Sequence, residues 1–310
     1  MTLPRCPRCE FSYGWDGHNC THCHLPIPTR ASWASFASLV RFDYAHPNRD
    51  RRKAVLLACA FARRVSHLLP PDRANVVQVL DIAESYADGE RAGVARMLRA
   101  LGLYLRDPAA ATIAQNDSGS RAVLAATHAG QMCATADGDT GFREAAAHAR
   151  AAAAWAAFPE KAWNTFPLPR HLERHRPSLS APPSHDEYLA YRTTDPPRFA
   201  AVQELYRASA EYEGRRRDRE RDEESAQCRL YREVFGYPFA RVEFAPAWRT
   251  STVLALANQM YETRDFSAMP ILADALQDAG CGDDDILDHC RGTSDHVRGC
   301  WVVDSVAGVP

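Results

Sequence analysis

Four cysteines near the start of the chain constrain its folding more than any other feature. They form two Cys-x-x-Cys pairs separated by ten residues: Cys6, Cys9, Cys20 and Cys23. Each pair makes a tight turn that points two sulfur atoms inward, and the hairpin between the pairs brings all four sulfurs to about 2.3 Å from one metal ion. A segment this short cannot bury a sufficient core alone, so the metal would supply its folding energy.

Residues 1–28 resemble a zinc ribbon or a rubredoxin-type knuckle module. The resemblance implies one structural zinc ion held by the four cysteine sulfurs, with no coordination position left for water. Glu10 and His24 follow the second cysteine of each pair, where such knuckles often have glycine. The open alternatives are another metal, no metal at all, or a ligand set that includes His18, His22 or His24.

The cysteine content also bears on the cellular compartment. The chain has ten cysteines, and its start shows no basic segment followed by an apolar one, as an export signal would have. Reduced thiols and metal ligation are therefore expected in place of disulfides. No apolar run approaches the roughly 18 residues that a membrane helix needs, so we expect a cytoplasmic protein without membrane contact.

Charge is balanced over the whole chain but uneven along it. The chain has 37 Lys and Arg against 39 Asp and Glu, a net charge of −2, which excludes the strongly basic class of nucleic-acid-binding proteins. Residues 1–64 are basic, whereas residues 262–304 are acidic. The two ends can pack together, face solvent, or present a basic face to an acidic partner.

Hydrophobic periodicity predicts a mainly α protein. Residues 29–158 show apolar positions at helical spacing, interrupted by turn signals such as Pro70-Pro71 and Asp107-Pro108. Short connections of this kind make neighbouring helices antiparallel, so we predict a helical bundle domain. A nearly continuous alanine run from Ala145 to Ala157 allows helices to approach closely at the end of this domain.

Two segments of different composition follow the predicted bundle. Residues 159–197 contain eight prolines and little periodicity, which predicts a linker or an extended wrap across the bundle. Residues 198–235 have a helical pattern that includes Arg215–Glu224, where five arginines are mixed with five acids. Opposite charges three and four positions apart support a solvated helix that stands away from the core.

Residues 236–310 are predicted to form a C-terminal helical module that contains several potential metal ligands. A second zinc site can be drawn from Cys281, His289, Cys290, His296 and Cys300. Their spacing matches no compact ligand motif. One alternative is a Cys–His nucleophile pair, with Cys290 or Cys300 beside His296. The other is local packing of a tight helical hairpin, which the spacing favours.

Several stretches of the chain resemble a known family. The specific ones are Ala268–Cys281, Asp285–Arg291 and His296–Asp304, and weaker ones are Arg51–Pro70, Ala83–Gly89 and Phe235–Phe239. They resemble a large uncharacterised family from planctomycete-type bacteria with many paralogues per genome. The resemblance implies a helical protein and transfers no catalytic role to any residue. It also implies that the cysteine-rich start is an added module.

Basic residues that follow the cysteine-rich module are candidate contacts to nucleic-acid phosphates. They are Arg49, Arg51, Arg52, Lys53, Arg63 and Arg64. No aromatic pattern for base stacking accompanies them. Arginines on a helix face are commonly solvated or paired within the protein, which is the alternative interpretation here.

These observations lead to one main functional hypothesis and two alternatives. A closed metal site, without a recognisable catalytic constellation or phosphate loop, favours a non-enzymatic, zinc-stabilised helical protein that binds a partner protein as an adaptor. The first alternative is a nucleic-acid-binding or transcription-related protein that uses residues 5–64. The second is an enzyme with a site in the C-terminal module that uses His289, Cys290, His296 and Asp304.

Overall fold

A computed structural model describes most of the chain after residue 50. The described ranges are 51–71, 76–90, 118–132, 138–159, 161, 163–236, 244–293 and 295–309. Within them the chain forms α-helices, short 3-10 helices and loops, with no β-strand, so the prediction of a mainly α protein is confirmed. None of the helices in these ranges has the length and apolar character needed to cross a membrane.

The zinc module predicted for Cys6, Cys9, Cys20 and Cys23 lies outside the described residues, as does Arg49. The described α-helices are α1 (Arg51–Arg64), α2 (Val77–Ala87), α3 (Ser118–Gln131), α4 (Gly138–Ala157), α5 (His185–Thr194), α6 (Pro196–Phe235), α7 (Ser251–Thr263), α8 (Met269–Asp278), α9 (Asp284–Arg291) and α10 (Trp301–Ala307).

A first core forms around α1. Every residue from Val55 to Ala62 is buried, because α2, α3, α4 and the end of α6 surround this helix. The partners contribute small residues, such as Ala125 of α3 and Ala149 of α4. Small side chains allow helix axes to approach closely, so the alanine-rich sequence yields a dense bundle with few large side chains.

The proline-rich segment 159–197 contains helical structure of its own. It holds two 3-10 helices, Trp163–Thr165 and Arg170–Ser178, followed by α5. The 3-10 helices are short and accommodate proline. They do not repeat an apolar position over many α-helical turns, so the segment shows little helical periodicity. Its apolar residues pack on the first half of α6 and form a second core, with Phe166, Leu172 and Leu179 against Val202 and Leu205.

Helix α6 is 40 residues long and joins two cores. It begins after Asp195, whose side chain accepts a hydrogen bond from the Arg198 backbone amide. Its first half packs on the proline-rich segment, and its last turns (Ala226 to Val234) pack on the α1 bundle. The stretch 215–222 between them has no buried residue and carries local ion pairs such as Arg221–Asp218.

Helices α7 to α10 pack around a third core in the C-terminal module. Thr250 caps α7, and Asp283 caps α9 by accepting hydrogen bonds from backbone amides. The module contacts the α1 bundle through buried ion pairs. Arg52 of α1 lies 2.6 Å from Asp304 of α10, whose side chain is only 2% exposed. These contacts bring the 292–300 loop against α1.

Candidate metal centre

Four side chains from two parts of the fold form a cluster that can hold a metal ion. His289 lies on α9, His296 lies in the following loop, and Cys300 immediately precedes α10. The fourth member, Glu233, lies in the last turn of α6. One donor atom from each side chain lies within 4.8 Å of the other three.

The separations between these atoms are close to those expected around a tetrahedral ion and mostly shorter. His289 Nε2 lies 3.2 Å from Cys300 Sγ and 3.4 Å from Glu233 Oε2, and His296 Nδ1 lies 2.9 Å from Glu233 Oε1. Zinc bonds of about 2.0 Å to nitrogen or oxygen and about 2.3 Å to sulfur place neighbouring donors about 3.3–3.6 Å apart. The cluster therefore needs only small shifts to surround an ion.

Two glycines and a tryptophan position the ligands. Gly236 ends α6 with φ 68°, and a Cβ there would lie 3.2 Å from the Trp301 ring. Only glycine allows this approach. The Trp301 ring in turn lies 5.1 Å from the His289 ring, centroid to centroid. Gly299 has φ 93° and brings the backbone beside Cys300 against Leu56 of α1.

The electrostatics of the cluster depend on the buried carboxylate of Glu233. Burial by itself raises the pKa of Glu233, but hydrogen bonds from His289 and His296 outweigh this effect and lower the pKa to about 2. Burial, reinforced by the nearby Glu233 charge, raises the pKa of the Cys300 thiol well above its usual value. A divalent ion would reverse the latter effect, because it stabilises the thiolate that binds it.

The other two predicted ligands lie outside this cluster. Cys281 and Cys290 are buried in the core of the C-terminal module, and burial raises the pKa of Cys290 to about 12. Asp304, considered with Cys290 as part of an enzyme site, instead accepts hydrogen bonds from Arg52. Neither Cys290 nor Asp304 belongs to the cluster that contains His289 and His296. Burial raises the pKa of Cys300, whereas an activated nucleophile has a lowered pKa.

Four of the basic residues considered for phosphate binding have partners inside the protein. Arg52 contacts Asp304, Asp88 and Tyr261, Arg63 contacts Glu84 and Asp81, and Arg64 contacts Glu223 with two nitrogens. Arg51 donates a hydrogen bond to the Met132 carbonyl, and Lys53 is half-buried. The sequence pattern does not show these partners, because most of them lie far away along the chain.

A second group of potential ligands joins α3 and α4 and was not anticipated. His128 and His148 stack with ring centroids 5.2 Å apart, and Glu144 lies 3.5 Å from His148 Nε2. Arg121 points a donor nitrogen at His148 Nδ1, at 3.1 Å. This positive charge and the half-exposed Glu144 make the group a poorer cation site than the buried cluster. In the sequence, the indication of this group is that Glu144 and His148 lie four residues apart, which places them on one face of a helix.

Glu233 was also missed as a ligand, although the sequence contains a hint. It lies three residues after Leu230 and one before Val234, on the buried face of α6. An acidic residue on an apolar helix face is unusual unless it has a buried partner.

Comparison of the chain with protein-family models, curated proteins and solved structures finds no match.

Proposed function

We propose that the protein is a non-enzymatic, zinc-stabilised helical binding protein whose structural ion links α6 to the C-terminal module. Glu233, His289, His296 and Cys300 would hold this ion, in addition to the ion expected at the cysteine-rich start. The observation that carries the proposal is that four donor atoms from two separately packed units meet within 4.8 Å, away from solvent.

The donor set favours zinc over other ions. One thiolate, two imidazoles and one carboxylate form a mixed sulfur, nitrogen and oxygen set, which suits zinc, whereas calcium and magnesium prefer oxygen atoms alone. Glu233 is only 2% exposed and Cys300 is fully buried. A buried carboxylate and thiolate together carry two negative charges, which one Zn²⁺ ion would neutralise.

A structural role follows from the number of ligands. With four protein donors, the coordination sphere is closed and no position remains for a reactive water molecule. The ion would add binding free energy to the contact between the modules. The protein would then present fixed surfaces to a partner, which is the function of a binding protein.

Metal analysis of the purified full-length chain tests this proposal. We expect about two zinc ions per chain by elemental mass spectrometry, one at each site. The variants Cys300→Ser and Glu233→Gln should each lower the content to about one. Cys290→Ser is the matched control, because Cys290 is a buried cysteine of the same module outside the cluster, and it should retain both ions.

A second comparison separates the two zinc sites. Cys6→Ser combined with Cys20→Ser should remove the first ion and leave the second, which Cys300→Ser would then remove. Circular dichroism establishes that each variant is folded. Zinc content that is unchanged by both Cys300→Ser and Glu233→Gln would contradict the proposal.

We also propose that the partner is a protein and that the two meet in the cytoplasm. The five cysteines of the described residues are free thiols, which suits a reducing compartment. Residues 204–222 of α6 contain six arginines and six acids and pair opposite charges locally, so this part of the helix has no net positive charge to attract nucleic acid. Fluorescence anisotropy should therefore detect no DNA or RNA binding at low salt. Binding that falls steeply with salt would instead support the nucleic-acid alternative.

Membership in the planctomycete-type family remains a proposal as well. The Glu233 cluster provides a specific test of this membership. If the family shares this metal site, paralogues that have the two histidines and the cysteine of the C-terminal stretches should also have an acidic residue at the position of Glu233. Paralogues with the three C-terminal ligands and an apolar residue at that position would argue against a shared site.

A further inference from the structure

One face of α6 is exposed along most of the helix and carries charges of both signs. The exposed residues on this face recur every three or four positions, as expected for one side of a helix. They include Arg207, Glu211, Asp218, Arg221, Ser225 and Arg229. Residues that pack on the two cores, such as Leu205 and Leu230, lie on the opposite side. Within the described part of the chain, this face therefore runs uncovered from one core to the other.

The charges in the middle of α6 form a pattern that is complementary to its own reverse. Residues 215–224 read Arg-Arg-Arg-Asp-Arg-Glu-Arg-Asp-Glu-Glu. Any two residues at equal distances from the centre of this stretch carry opposite charges. On the exposed face, this relation connects Arg217 with Asp222 and Asp218 with Arg221.

A second copy of the same helix fits this pattern in one orientation. In an antiparallel pair with a two-fold axis at the centre of the stretch, each residue faces its oppositely charged counterpart. Arg217 of one copy would face Asp222 of the second copy, and Asp218 would face Arg221, with each contact made twice. In a parallel pair each residue would face itself, and every such contact would be repulsive. Charge complementarity therefore selects the antiparallel pair.

The charged groups on this face are accessible to a second copy. Asp218 and Arg221 pair with each other along the helix, yet their side chains are 59% and 72% exposed. Asp222 is 67% exposed, and its contact with Arg219 is long, at 3.5 Å. Arg217 is exposed and has no ion pair within the described residues. A guanidinium group has five donors and a carboxylate has two acceptor oxygens, so one local contact leaves room for another.

Gly214 is an independent indication that another helix approaches this face. Glycine in the middle of a helix is destabilising relative to alanine. A Cβ at position 214 would meet no atom within 4 Å, so packing within the described residues does not require glycine here. In the antiparallel pair, Gly214 would face the small Ser225 of the second copy. Small residues at a crossing let two helix axes approach closely, which brings the flanking charges into contact.

We propose that the exposed face of α6 is the interface of a homodimer, in which two copies of the chain cross in antiparallel orientation over residues 214–225. The face complements its own reverse, which an interface with an unrelated protein would not need. Glu233 is buried and does not belong to this face, so the dimer does not depend on the proposed zinc site. The dimer would present the surfaces of two zinc-stabilised units together.

Sedimentation equilibrium of the full-length chain tests whether the dimer forms. Because the face is polar, we expect weak association, with a dissociation constant of about 10–100 µM in about 50 mM sodium chloride. Association should weaken at least about tenfold in about 500 mM sodium chloride, since salt screens exposed charges. A chain that stays monomeric at about 500 µM in the low-salt buffer would overturn the proposal.

Complementary charge reversals test the location and the orientation of the interface. An acidic variant carries Arg217→Glu and Arg221→Glu, and a basic variant carries Asp218→Arg and Asp222→Arg. Each variant alone should self-associate at least about tenfold more weakly than the wild type, because like charges would face each other. An equimolar mixture should form a dimer with one copy of each variant, since all the facing pairs regain opposite charges. A mixture of folded variants that does not associate would overturn the proposal, as would undiminished self-association of each variant alone.

Two further proteins complete the test. Arg170→Glu with Arg192→Glu is the matched control, because it changes the net charge equally at exposed positions outside α6 and should dimerise like the wild type. Equal weakening in this control would assign the effect to net charge and overturn the proposal. Gly214→Leu favours the helix but separates the crossing helices, so it should weaken association at least about tenfold. Unchanged association in a folded Gly214→Leu protein would overturn the proposed crossing.

Zinc content measured on the same samples separates this proposal from the proposed function. All the variants of the α6 face should keep the zinc content of the wild type, because none of them changes a proposed ligand. A monomeric protein that holds zinc at the Glu233 cluster would overturn the dimer alone. A dimer without zinc at that cluster would overturn the proposed zinc site alone.

Discussion

Gly299 is the residue whose backbone most directly determines where the Cys300 sulfur lies. Its φ of 93° is in the region that favours glycine, and a Cβ would lie 3.0 Å from Leu56 Cδ1. Leu56 is itself buried in α1. An added Cβ at position 299 would therefore require a shift of Leu56 or of the loop that contains Cys300.

The variant Gly299→Ala should lower the free energy of unfolding by about 2–4 kcal/mol, from backbone strain plus steric overlap with Leu56. Gly280→Ala is the matched control, since Gly280 has φ 91° and no atom within 4 Å of the added Cβ. It should cost about 1–2 kcal/mol from strain alone. Urea denaturation measures the free energy of unfolding of both variants. Equal decreases would show that the contact with Leu56 has no effect on stability.

His148 makes the stability of the α3–α4 pair depend on pH. Burial lowers the pKa of His148 to about 4, and the neighbouring His128 and Arg121 contribute to the same shift. Its ordinary pKa is 6.5. Between these two values the unfolded chain binds a proton that the folded chain does not. Stability is therefore lost as pH falls through this window.

We expect the free energy of unfolding to fall by about 1–3 kcal/mol between pH 6.5 and pH 4 because of His148. The variant His148→Gln cannot take up this proton, so its unfolding free energy should change less with pH over the same range. Urea denaturation at a series of pH values measures both proteins. An identical pH dependence in the variant would contradict the assignment to His148.

At the scale of elements, the contact between α1 and α10 depends on one arginine. Arg52 donates hydrogen bonds to both carboxylate oxygens of Asp304, at 2.6 and 3.1 Å. It also contacts Asp88 and the Tyr261 hydroxyl. A buried carboxylate that loses its cation is strongly destabilising, because it remains charged in a poorly solvated place.

The variant Arg52→Met should therefore lower the free energy of unfolding by about 3–5 kcal/mol. Arg207→Met is the control, since Arg207 pairs with Glu204 and Glu211 on the exposed face of α6. Exposed pairs of this kind contribute under about 1 kcal/mol. Thermal and chemical denaturation measure the stability of both variants. A similarly small loss of stability in both would mean that the Arg52–Asp304 pair does not hold α1 and α10 together.

At the scale of the whole molecule, α6 joins two cores and also reaches the C-terminal module. Its first half belongs to the core of the proline-rich segment, its last turns belong to the α1 bundle, and Glu233 reaches the cluster of the C-terminal module. A metal ion at that cluster would bind the folded chain far more tightly than the unfolded one, because only folding assembles the four donors.

Zinc should therefore raise the thermal unfolding midpoint of the wild-type chain by about 5–10 °C over chelator-treated protein. Glu233→Gln should lose most of this gain, whereas Glu211→Gln, an exposed acid on the same helix, should retain it. Differential scanning calorimetry measures the midpoints. A zinc effect of the same size in Glu233→Gln would assign the gain to the cysteine-rich start.

The sequence by itself determined the helical class, and it offered three members of the cluster among five candidate ligands, although their spacing favoured local packing. Helical periodicity is local, so the spacing of apolar residues is enough to predict helices. His289, His296 and Cys300 were candidates because histidine and cysteine are the residue types that bind zinc. The proline-rich segment was less predictable, since 3-10 turns leave little periodic signal.

Only the tertiary structure decided which residues meet. Glu233 joined the cluster and Cys281 and Cys290 did not, because the direction in which α6 and α9 approach each other depends on packing across the whole fold. The same holds for Arg52, Arg63 and Arg64, whose acidic partners lie on other helices. Local spacing reports which side chains share a helix face, whereas contacts between distant segments depend on how the helices dock.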